Sequence, residues 1–418
     1  MINNKTVIAL LGNSFIGWGG GIDFLRFCAN ALALICKGNN TRIVILLPDP
    51  ENCTLIIKTR AFLSACKQIA IAILERRKPI SRRHKPFFKK QLTDSFQNIE
   101  GNVEILFYPQ GKNIASVVVS IQADVVIPCA FSLGSSFPVP WVGYLYDFQH
   151  KYFPDYFSDK EINTRDALFS QMLGEASAVI VNAADVKKDI QKFYPQTKCK
   201  VFDLPFSATP IESWFEPASE DLSQKYDLPR IYFVMCNQFW IHKDHATAFK
   251  ALAIYMEATG QQDVHIVCTG STVDFRHPDY FSNLKNYVNT LGLTDRVHFL
   301  GHIPKKDQID IMCGSIAVLQ PTLFEGGPGG FAVFDAISLA IPVILSDIPV
   351  NREIEGYNGL LFFKAGDADD MAAKMIAIQN FTHVKQGKEL LLTTGRERTK
   401  TFGLRLLEAA EYAMNQQN

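Results

Sequence analysis

Residues 315–347 read SIAVLQPTLFEGGPGGFAVFDAISLAIPVILSD. Two short apolar runs, at 316–319 and 342–345, have the composition of buried strands, and residues 331–339 between them have helical spacing. The stretch therefore predicts a strand, a loop, a helix and a second strand. Units of this kind, repeated along a chain, build a parallel sheet that is covered by helices.

The loop of this unit places a carboxylate, Glu325, before four glycines in five residues. Glycine has no Cβ, so a ligand can approach the backbone closely, and the helix that follows begins with free N–H groups that attract anions. The expected donors are the N–H groups of Gly327, Gly329 and Gly330. A second carboxylate, Asp335, follows on the first turns of the helix. The unit thus offers two acceptors for sugar hydroxyls beside donors for a phosphate.

The length and charge of the chain limit its class. At 418 residues it is too long for one ordinary core, so two domains of about 200 residues are expected. The 42 basic and 42 acidic residues cancel, which leaves no overall field to attract nucleic acid. The nine cysteines form no CxxC pair, and the first residues lack the pattern of a signal peptide. These features predict a cytoplasmic protein without a zinc site or a disulfide framework.

Short apolar runs alternate with helical stretches through both halves of the chain. In the first half they lie at 6–11, 42–47, 103–107, 125–128, 141–145, 178–181 and 201–204. In the second half they lie at 231–235, 265–268, 297–300, 316–319, 342–345 and 360–363. The alternation predicts the α/β class, with two Rossmann-like, doubly wound domains that face each other across a cleft.

A loose, proline-containing stretch at 204–220 is interpreted as the linker between these domains. The expected boundaries are 1–208 for an N-terminal domain and 209–397 for a C-terminal domain. Residues 398–418 are expected to form a helix that crosses back to the first domain.

The first predicted strand leads into a glycine-rich turn at 17–21, where doubly wound folds place phosphates. Because the spacing is not GxGxxG, a simple tight turn is the alternative interpretation. Two further loops, one with Gly270 and one with Ile303, follow successive strands of the second half. They are expected to line one wall of the same cleft.

Residues 76–90 hold eight basic side chains and no acidic one, with Phe87 and Phe88 among them. The stretch is interpreted either as a solvated loop or as a docking patch for an anionic membrane surface. In the second case the protein would be peripheral at the inner face of the cell membrane. Nucleic acid ranks third among the alternatives, because the rest of the chain offers no basic surface to extend such a binding site.

Polar side chains follow two other strands. Asp147 and His150 lie in an aromatic loop after the strand at 141–145, at the edge where α/β sheets bind ligands. The interpretations are a histidine that transfers protons or donates hydrogen bonds, or a packed loop with a satisfied histidine. Lys243 opens a helix after the strand at 231–235, where it either neutralises a diphosphate or lies at the surface.

Together these features resemble the retaining glycosyltransferases of the GT-B type, in particular the large family 4, and more closely in the second half of the chain. The most specific motif of that family is a pair of glutamates, separated by seven residues, at a strand-loop-helix unit of the second domain. Residues 321–354 look like this motif and its sequel, although the loop is two residues longer and the second acid is Asp335. Residues 237–245, NQFWIHKDH, are similar to a subset of bacterial surface-polysaccharide enzymes.

The resemblance implies that residues 1–208 form the acceptor-side domain and that residues 209–397 bind the nucleotide sugar. It also implies roles for individual residues. Glu325 would meet hydroxyls of the donor sugar, and Asp335 would bind the ribose. Lys243 would grip the donor diphosphate, while Gln238 stands where the family has a second cation. Gly20 and Gly21 resemble the first-domain glycines that approach the donor phosphates. His150 is the choice for the family's first-domain histidine, with Asp147 as the alternative.

The implied function is the transfer of a hexosyl group, with retention, from a nucleotide diphosphate sugar to a hydroxyl of a glycan or lipid-linked glycan. Synthesis of a cell-surface polysaccharide, O-antigen or capsule, is the expected context. No Asp-x-Asp triplet is evident at a strand end, so neither a metal nor another cofactor is expected. Two alternatives remain on the same architecture: a nucleotide-sugar 2-epimerase and a non-catalytic nucleotide-sugar-binding partner.

Overall fold

The computed structural model describes residues 5–16, 20–53, 89–97, 99, 101–205, 207, 209–218, 220–379 and 386–416. The first sheet has seven parallel strands in the spatial order β3-β2-β1-β4-β5-β6-β7. They are β1 (Thr6–Leu11), β2 (Thr41–Cys53), β3 (Val103–Gln110), β4 (Val125–Cys129), β5 (Trp141–Tyr144), β6 (Ala178–Val181) and β7 (Val201–Asp203).

The inner strands of this sheet, β1, β4, β5 and β6, are continuous apolar runs because both of their faces are covered. Along β1, Ile8 and Leu10 enter one apolar layer, while Val7, Ala9 and Leu11 enter the layer on the opposite face. A strand buried on both sides needs apolar residues at every position, as parallel sheets generally do. The unbroken runs seen in the sequence have this cause.

The second sheet has six parallel strands in the order β10-β9-β8-β11-β12-β13. They are β8 (Tyr232–Cys236), β9 (His265–Thr269), β10 (Val297–Gly301), β11 (Val318–Gln320), β12 (Val343–Ser346) and β13 (Leu360–Phe363). Each predicted run corresponds to one of these described strands, within three residues at the ends except at β2, which continues to Cys53 instead of ending at 47. The predicted class, two doubly wound α/β sheets, is confirmed.

The described helices of the first half are α1 (Gly21–Ile35), α2 (Lys89–Ser95), α3 (Ile114–Ser120), α4 (Gln149–Tyr152), α5 (Asp159–Glu175) and α6 (Ala184–Phe193). Those of the second half are α7 (Leu222–Tyr226), α8 (His245–Thr259), α9 (Tyr280–Thr290), α10 (Lys305–Gly314), α11 (Gly330–Ser338), α12 (Pro349–Arg352), α13 (Ala368–Gln379) and α14 (Lys388–Asn415). Short 3-10 turns lie at Pro154–Tyr156, Glu212–Phe215 and Ile241–Lys243.

The last helix begins earlier than expected. α14 starts at Lys388 instead of residue 398, and it runs through Gly395, which is a helix-breaking residue by propensity. A Cβ at Gly395 would lie 2.8 Å from atoms of both Thr209 and Pro210. Packing against the segment between the sheets therefore requires a residue without a side chain, and this requirement overrides propensity.

The second half of α14 belongs to the core of the first sheet. Its buried side chains there are Phe402, Leu406, Ala409, Ala410 and Ala413. The ring of Phe402 lies 4.7 Å from that of Phe27 on α1, and a Cβ at Gly403 would lie 2.6 Å from the carbonyl oxygen of Ala31. The helix thus crosses from the second sheet and packs closely on α1.

The basic stretch 76–90 falls largely outside the described residues, as do residues 17–19 of the first glycine-rich turn. At its end, Nζ of Lys89 donates to Oδ2 of Asp49 at 3.2 Å and lies 4.8 Å from the centre of the Phe107 ring. Within the described ranges, no helix has the length and apolar character needed to cross a membrane.

Replacing Phe402 by Ala should lower the free energy of unfolding by about 3–5 kcal/mol, because the side chain is fully buried in the first core. Urea unfolding followed by circular dichroism measures this loss. The matched control is Leu404→Ala on the same helix, where the side chain is 60% exposed and the expected change is within about 0.5 kcal/mol. Equal losses in the two variants would contradict the packing of α14 on the first core.

Candidate active site

The candidate site lies where the strand order of the second sheet reverses. β8 and β11 are neighbours there, paired at Val234 and Val318, although β9 and β10 separate them along the chain. Connections leave two such strands in opposite directions, so a crevice opens beyond their carboxyl ends, and doubly wound folds bind ligands in it. The loops after β8 and β11 carry Lys243 and Glu325.

Lys243 and Glu325 form an ion pair at this crevice. Nζ of Lys243 donates to Oε1 of Glu325, and the two side chains are 15% and 10% exposed. Nε2 of Gln320 donates to the same carboxylate oxygen at 3.0 Å, and Nδ2 of Asn237 donates to Oε1 of Gln320 at 2.8 Å. Both amides are buried. Glu325 is therefore oriented by a chain of hydrogen bonds that starts at the end of β8.

Gln320 and Asn237 were not singled out from the sequence. Their only signal is position, because each stands at or just after the carboxyl end of a strand that flanks the reversal point. A polar residue there is unusual in a buried strand. Gln320 is fully buried, and Asn237 nearly so.

The backbones of the two loops are joined at His242. Its carbonyl oxygen accepts the N–H of Leu323 at 2.8 Å and the hydroxyl of Thr322 at 3.3 Å. Burial, and then the nearby charges of Lys243 and Arg276, hold the pKa of His242 well below its usual value. The imidazole is thus neutral, and the residue serves to hold Lys243 and Glu325 in register.

Gly326 allows the two domains to meet at the site. A Cβ at this position would lie 2.1 Å from the carbonyl oxygen of Tyr146 and 2.9 Å from the Cβ of Asp147, both in the first domain. Asn182, at the end of β6, lies against the next residue, since a Cβ at Gly327 would be 3.3 Å from its Cβ. The glycine-rich loop is therefore the part of the second domain that approaches the first.

Gly329 is required by its backbone conformation. Its φ is 59°, in the left-handed region, and a Cβ would lie 2.4 Å from Val333. Its N–H donates to Oδ1 of the buried Asn351 at 2.7 Å. This N–H is consequently not free for a phosphate, which corrects the expectation drawn from the sequence.

Gly330 is the first residue of α11 and has a φ of 67°. Its N–H contacts the carbonyl oxygen of Gly327 at 3.4 Å, a long distance for a hydrogen bond. A Cβ at Gly330 would lie 3.8 Å from Oε2 of Glu325. The positive end of the helix dipole thus lies beside the carboxylate of the ion pair.

Asp335 is buried, and its Oδ2 accepts a hydrogen bond from Nζ of Lys305. Burial raises the pKa of Asp335, and the lysine opposes that shift. The lysine is 47% exposed and the carboxylate 4%. Lys305, which sequence reasoning missed, is therefore the more accessible member of the pair. It follows the Ile303-Pro304 loop after β10 and begins α10.

Three other residues predicted from the sequence, Gly270, Ile303 and Gln238, differ in their surroundings. Gly270 has a φ of 135°, and a Cβ would lie 2.1 Å from the carbonyl oxygen of Asn237, so only glycine lets these two loops touch. Ile303 is buried in the apolar cluster on one face of the second sheet, which accounts for it as a core residue. Gln238 is exposed, two residues beyond β8.

Gly20 and Gly21, at the start of α1, have different neighbours. A Cβ at Gly21 would lie 2.2 Å from the carbonyl oxygen of Phe15, so the turn into α1 requires glycine. A Cβ at Gly20 would lie 2.9 Å from the ring of Phe331, at the start of α11. Gly20 therefore faces the second domain, next to the glycine-rich loop.

Asp147 lies against the glycine-rich loop and is held by its neighbours. Its Oδ1 accepts a hydrogen bond from Nη2 of Arg165 at 2.6 Å and from the N–H of Gln149 at 2.9 Å. Arg165 in turn lies 4.8 Å from the centre of the Tyr146 ring. These contacts place a carboxylate of fixed orientation on the first-domain side of the crevice.

His150 lies deeper than Asp147. Its side chain is fully buried, Nε2 lies 3.0 Å from Oδ1 of Asp166, and the ring is 5.6 Å from that of Phe169. Burial lowers the pKa of His150, and Asp166 opposes the shift. The loop is packed as in the alternative interpretation, but the histidine is not fully satisfied, because its Nδ1 is buried without a hydrogen-bond partner. Asp147 is the residue beside Gly326.

Two further contacts join the domains outside the crevice. The carboxylate of Glu353 accepts the N–H groups of Ala184 at 3.0 Å and Asp185 at 2.7 Å. It therefore caps α6, which has no capping side chain of its own. Nε of Arg276 donates to Oε1 of Glu161 at 3.2 Å. The structure thus shows the domains in contact on more than one side of the site.

Comparison with known proteins agrees with this architecture. Residues 219–383 match the family model described as glycosyl transferases group 1. No curated protein matches the sequence. The family match, together with the fold, supports a GT-B glycosyltransferase. The finer assignments, family 4 and the surface-polysaccharide type, remain predictions.

Similar solved structures span nearly the whole chain. A glycosyltransferase from Rickettsia africae is 14% identical, with a TM-score of 0.56, over 99% of this chain and 97% of that one. HepE from Anabaena, in complex with UDP and glucose, is 16% identical, with a TM-score of 0.56, over 99% and 98%. Sucrose-phosphate synthase from Thermosynechococcus elongatus is 14% identical, with a TM-score of 0.58, over 99% and 97%. At these identities the likeness shows the fold alone.

Lys305→Met should destabilise the protein by about 2 kcal/mol at pH 7.5, a value discounted because the lysine is nearly half exposed. Without the lysine the pKa of Asp335 rises further above its unfolded value. A carboxyl of this kind stabilises the fold only while it is protonated, and the contribution is lost as the pH rises through the raised pKa. The loss should therefore be smaller at pH 5, as measured by urea unfolding at both pH values.

The control for this prediction is the double variant Lys305→Met, Asp335→Asn, in which no carboxylate titrates at the site. Its unfolding free energy should show less dependence on pH than that of the single variant. A loss in Lys305→Met that is the same at both pH values would contradict the proposed pairing.

Proposed function

We propose that the protein is a retaining glycosyltransferase, which moves a hexosyl group from a nucleotide diphosphate sugar to a hydroxyl of a glycan or lipid-linked glycan. The observation that carries this proposal is the ion pair of Lys243 and Glu325 at the reversal point of the second sheet. It lies within the segment that matches glycosyl transferases group 1. Among the similar structures, HepE was solved with UDP and with UDP-glucose.

In the proposed donor complex the two charges of the pair contact different parts of the ligand. The ammonium of Lys243 neutralises the diphosphate, and the carboxylate of Glu325 accepts hydrogen bonds from hydroxyls of the sugar. Because each group already has its charge and orientation before the ligand arrives, little reorganisation is needed. The start of α11 adds the positive end of a helix dipole for the negative charge that grows on the leaving diphosphate.

The ribose of the donor is assigned to the pair of Asp335 and Lys305. A hydroxyl both donates and accepts hydrogen bonds, so it can bind a carboxylate and an ammonium together. Lys305 thereby extends the reach of Asp335, which is one methylene shorter than glutamate and is buried.

Retention is proposed to follow a front-side route, in which the departing phosphate oxygen takes the proton of the acceptor hydroxyl. Asp147 is the first-domain carboxylate beside the glycine-rich loop, and Arg165 and Gln149 already engage its Oδ1. Such a carboxylate is better suited to orienting the sugar than to attacking it. His150 is proposed to support this loop from behind, through its contact with Asp166.

The cellular context is proposed from the resemblance of residues 237–245 to bacterial surface-polysaccharide enzymes. The acceptor would be a growing glycan, and the reaction would need neither a metal nor another cofactor. Residues 76–90 would bring the protein to an anionic membrane surface if the acceptor is linked to a lipid. Transfer that persists in EDTA is expected.

The test of the proposed function offers a panel of UDP-, GDP- and dTDP-sugars and records the melting temperature. A ligand at 100 times its dissociation constant adds about 2.7 kcal/mol of stability, which separates a true donor from the rest. Incubation of that donor without an acceptor should leave the sugar unchanged. Epimerised sugar would instead indicate the 2-epimerase, and a panel without any binder would overturn the proposal.

Glu325→Gln should lower kcat for transfer by about 100-fold or more, because the neutral amide holds the sugar hydroxyls less strongly in the transition state. Initial rates with the donor identified above and a glycan acceptor measure this. The matched control is Glu355→Gln, whose carboxylate is 64% exposed and lies outside the site. Near-normal turnover of Glu325→Gln would remove the assigned role.

Lys243→Met should weaken donor affinity by about 10- to 100-fold, since a charge-assisted hydrogen bond to the diphosphate is lost. Isothermal titration calorimetry with the nucleoside diphosphate alone measures the effect without chemistry. Lys250→Met, an exposed lysine on the same loop-helix unit, is the control and should bind like the wild type. Unchanged affinity in Lys243→Met would remove the role assigned to this lysine at the diphosphate.

A further inference from the structure

Buried polar atoms without hydrogen-bond partners gather at one edge of the first sheet. Oδ1 of Asn13 and Oγ of Ser14 follow β1, Nε2 of Gln149 and Nδ1 of His150 follow β5, and Oδ1 of Asn182 follows β6. Native proteins satisfy nearly all buried polar groups, because each unsatisfied one is costly. Several such atoms at the carboxyl ends of three strands therefore point to a ligand that supplies the missing partners.

Asn182 is the member of this group that lies against the glycine-rich loop. A Cβ at Gly327 would be 3.3 Å from the Cβ of Asn182, and Glu325 is only two residues before that glycine. Nδ2 of Asn182 donates to the hydroxyl of Tyr144 at 2.6 Å. This hydrogen bond holds the amide, and it leaves Oδ1 buried without a partner.

The loop after β1 packs on the residue that holds Asn182. Ser14 precedes Phe15, whose ring centre lies 5.9 Å from that of Tyr144. Gly20, at the end of this loop, lies against Phe331 at the start of α11, since a Cβ there would be 2.9 Å from its ring. The described parts of the loop that carries Asn13 and Ser14 therefore contact both Tyr144 and the second domain.

The chemistry of these atoms selects the ligand group. An amide oxygen accepts hydrogen bonds, an amide nitrogen donates them, and a serine hydroxyl does both. A phosphate only accepts and usually recruits cations, which Asn13, Ser14 and Asn182 do not provide. A sugar hydroxyl donates and accepts, so it matches this neutral set.

We infer that Asn182, with Asn13 and Ser14, forms the first-domain half of the site for the transferred sugar. The inference rests on the proposed function and adds a residue set that determines which hexose is held. Glu325 binds the sugar from the second domain and Asn182 from the first. The side chains proposed to hold the nucleotide are, in contrast, those of Lys243, Asp335 and Lys305.

The experiment compares the affinities for a nucleoside diphosphate and for its hexose conjugate by isothermal titration calorimetry. The probe pairs are UDP with UDP-glucose and with UDP-galactose, and GDP with GDP-mannose. Asn182→Ala should bind the conjugate about three- to tenfold more weakly than the wild type, the effect of one hydrogen bond, while its affinity for the diphosphate stays within about twofold. Ser14→Ala, which leaves the Tyr144 hydrogen bond intact, should change the same ratio in the same direction.

Asn163→Ala, at an exposed asparagine on α5, is the matched control and should keep the wild-type ratio. Tyr144→Phe removes the hydrogen bond that holds the amide of Asn182, so it should shift the ratio in the same direction as Asn182→Ala. An equal loss in Asn163→Ala, or an unchanged ratio in both Asn182→Ala and Ser14→Ala, would overturn the inference while the proposed function stands. A wild-type protein that binds none of the probes would overturn the proposed function and the inference with it.

Discussion

The candidate site depends on the ion pair between Lys243 and Glu325, which spans the point where the strand order of the second sheet reverses. A partly buried pair of this kind adds little to stability, because desolvation of the charges offsets their attraction. Its value is in preorganisation. Gln320 and Asn237 orient the carboxylate, and the carbonyl of His242 fixes the two loops to each other. Both charged groups therefore stand ready at the crevice before any ligand binds.

A second constraint concerns the contact between the domains. The first domain can lie against the glycine-rich loop only because the glycines there have no side chains. At Gly326 the backbone of Tyr146 occupies the space that a Cβ would need, and at Gly327 the neighbour is Asn182. The sequence predicts that the glycines of this loop leave space for a phosphate. In the structure the first domain occupies much of that space, and the N–H of Gly329 donates a hydrogen bond to Asn351.

The fold could be predicted from the sequence because strands buried on both faces must be apolar throughout, and such runs are visible without any tertiary information. The start of α14 could not, since Gly395 reads as a helix breaker until its contact with Thr209 and Pro210 is known. Helix propensity is a weak local preference, and here a contact with a distant part of the chain decided the outcome.

The residues of the candidate site also fall into two groups, those that the sequence indicates and those that only the structure shows. Glu325 and Lys243 belong to sequence motifs, and the structure brings them together. Lys305, Gln320 and Asn237 belong to no motif, because their role depends on partners that are distant in the sequence. His150 is the residue that the resemblance favours, with Asp147, three residues before it, as the alternative, and only the packing of the aromatic loop shows that Asp147 lies beside Gly326 while His150 is buried.

The last helix has a consequence for how the protein is made. Phe402, Leu406 and Ala410 complete the core of a sheet whose strands end at Asp203. Domains tend to fold in order as they leave the ribosome. In this protein an apolar face of the first sheet stays uncovered until α14 has been synthesised, roughly half of the polypeptide after the last strand of that sheet. The second domain, whose strands are contiguous in the chain, can finish before the first one does.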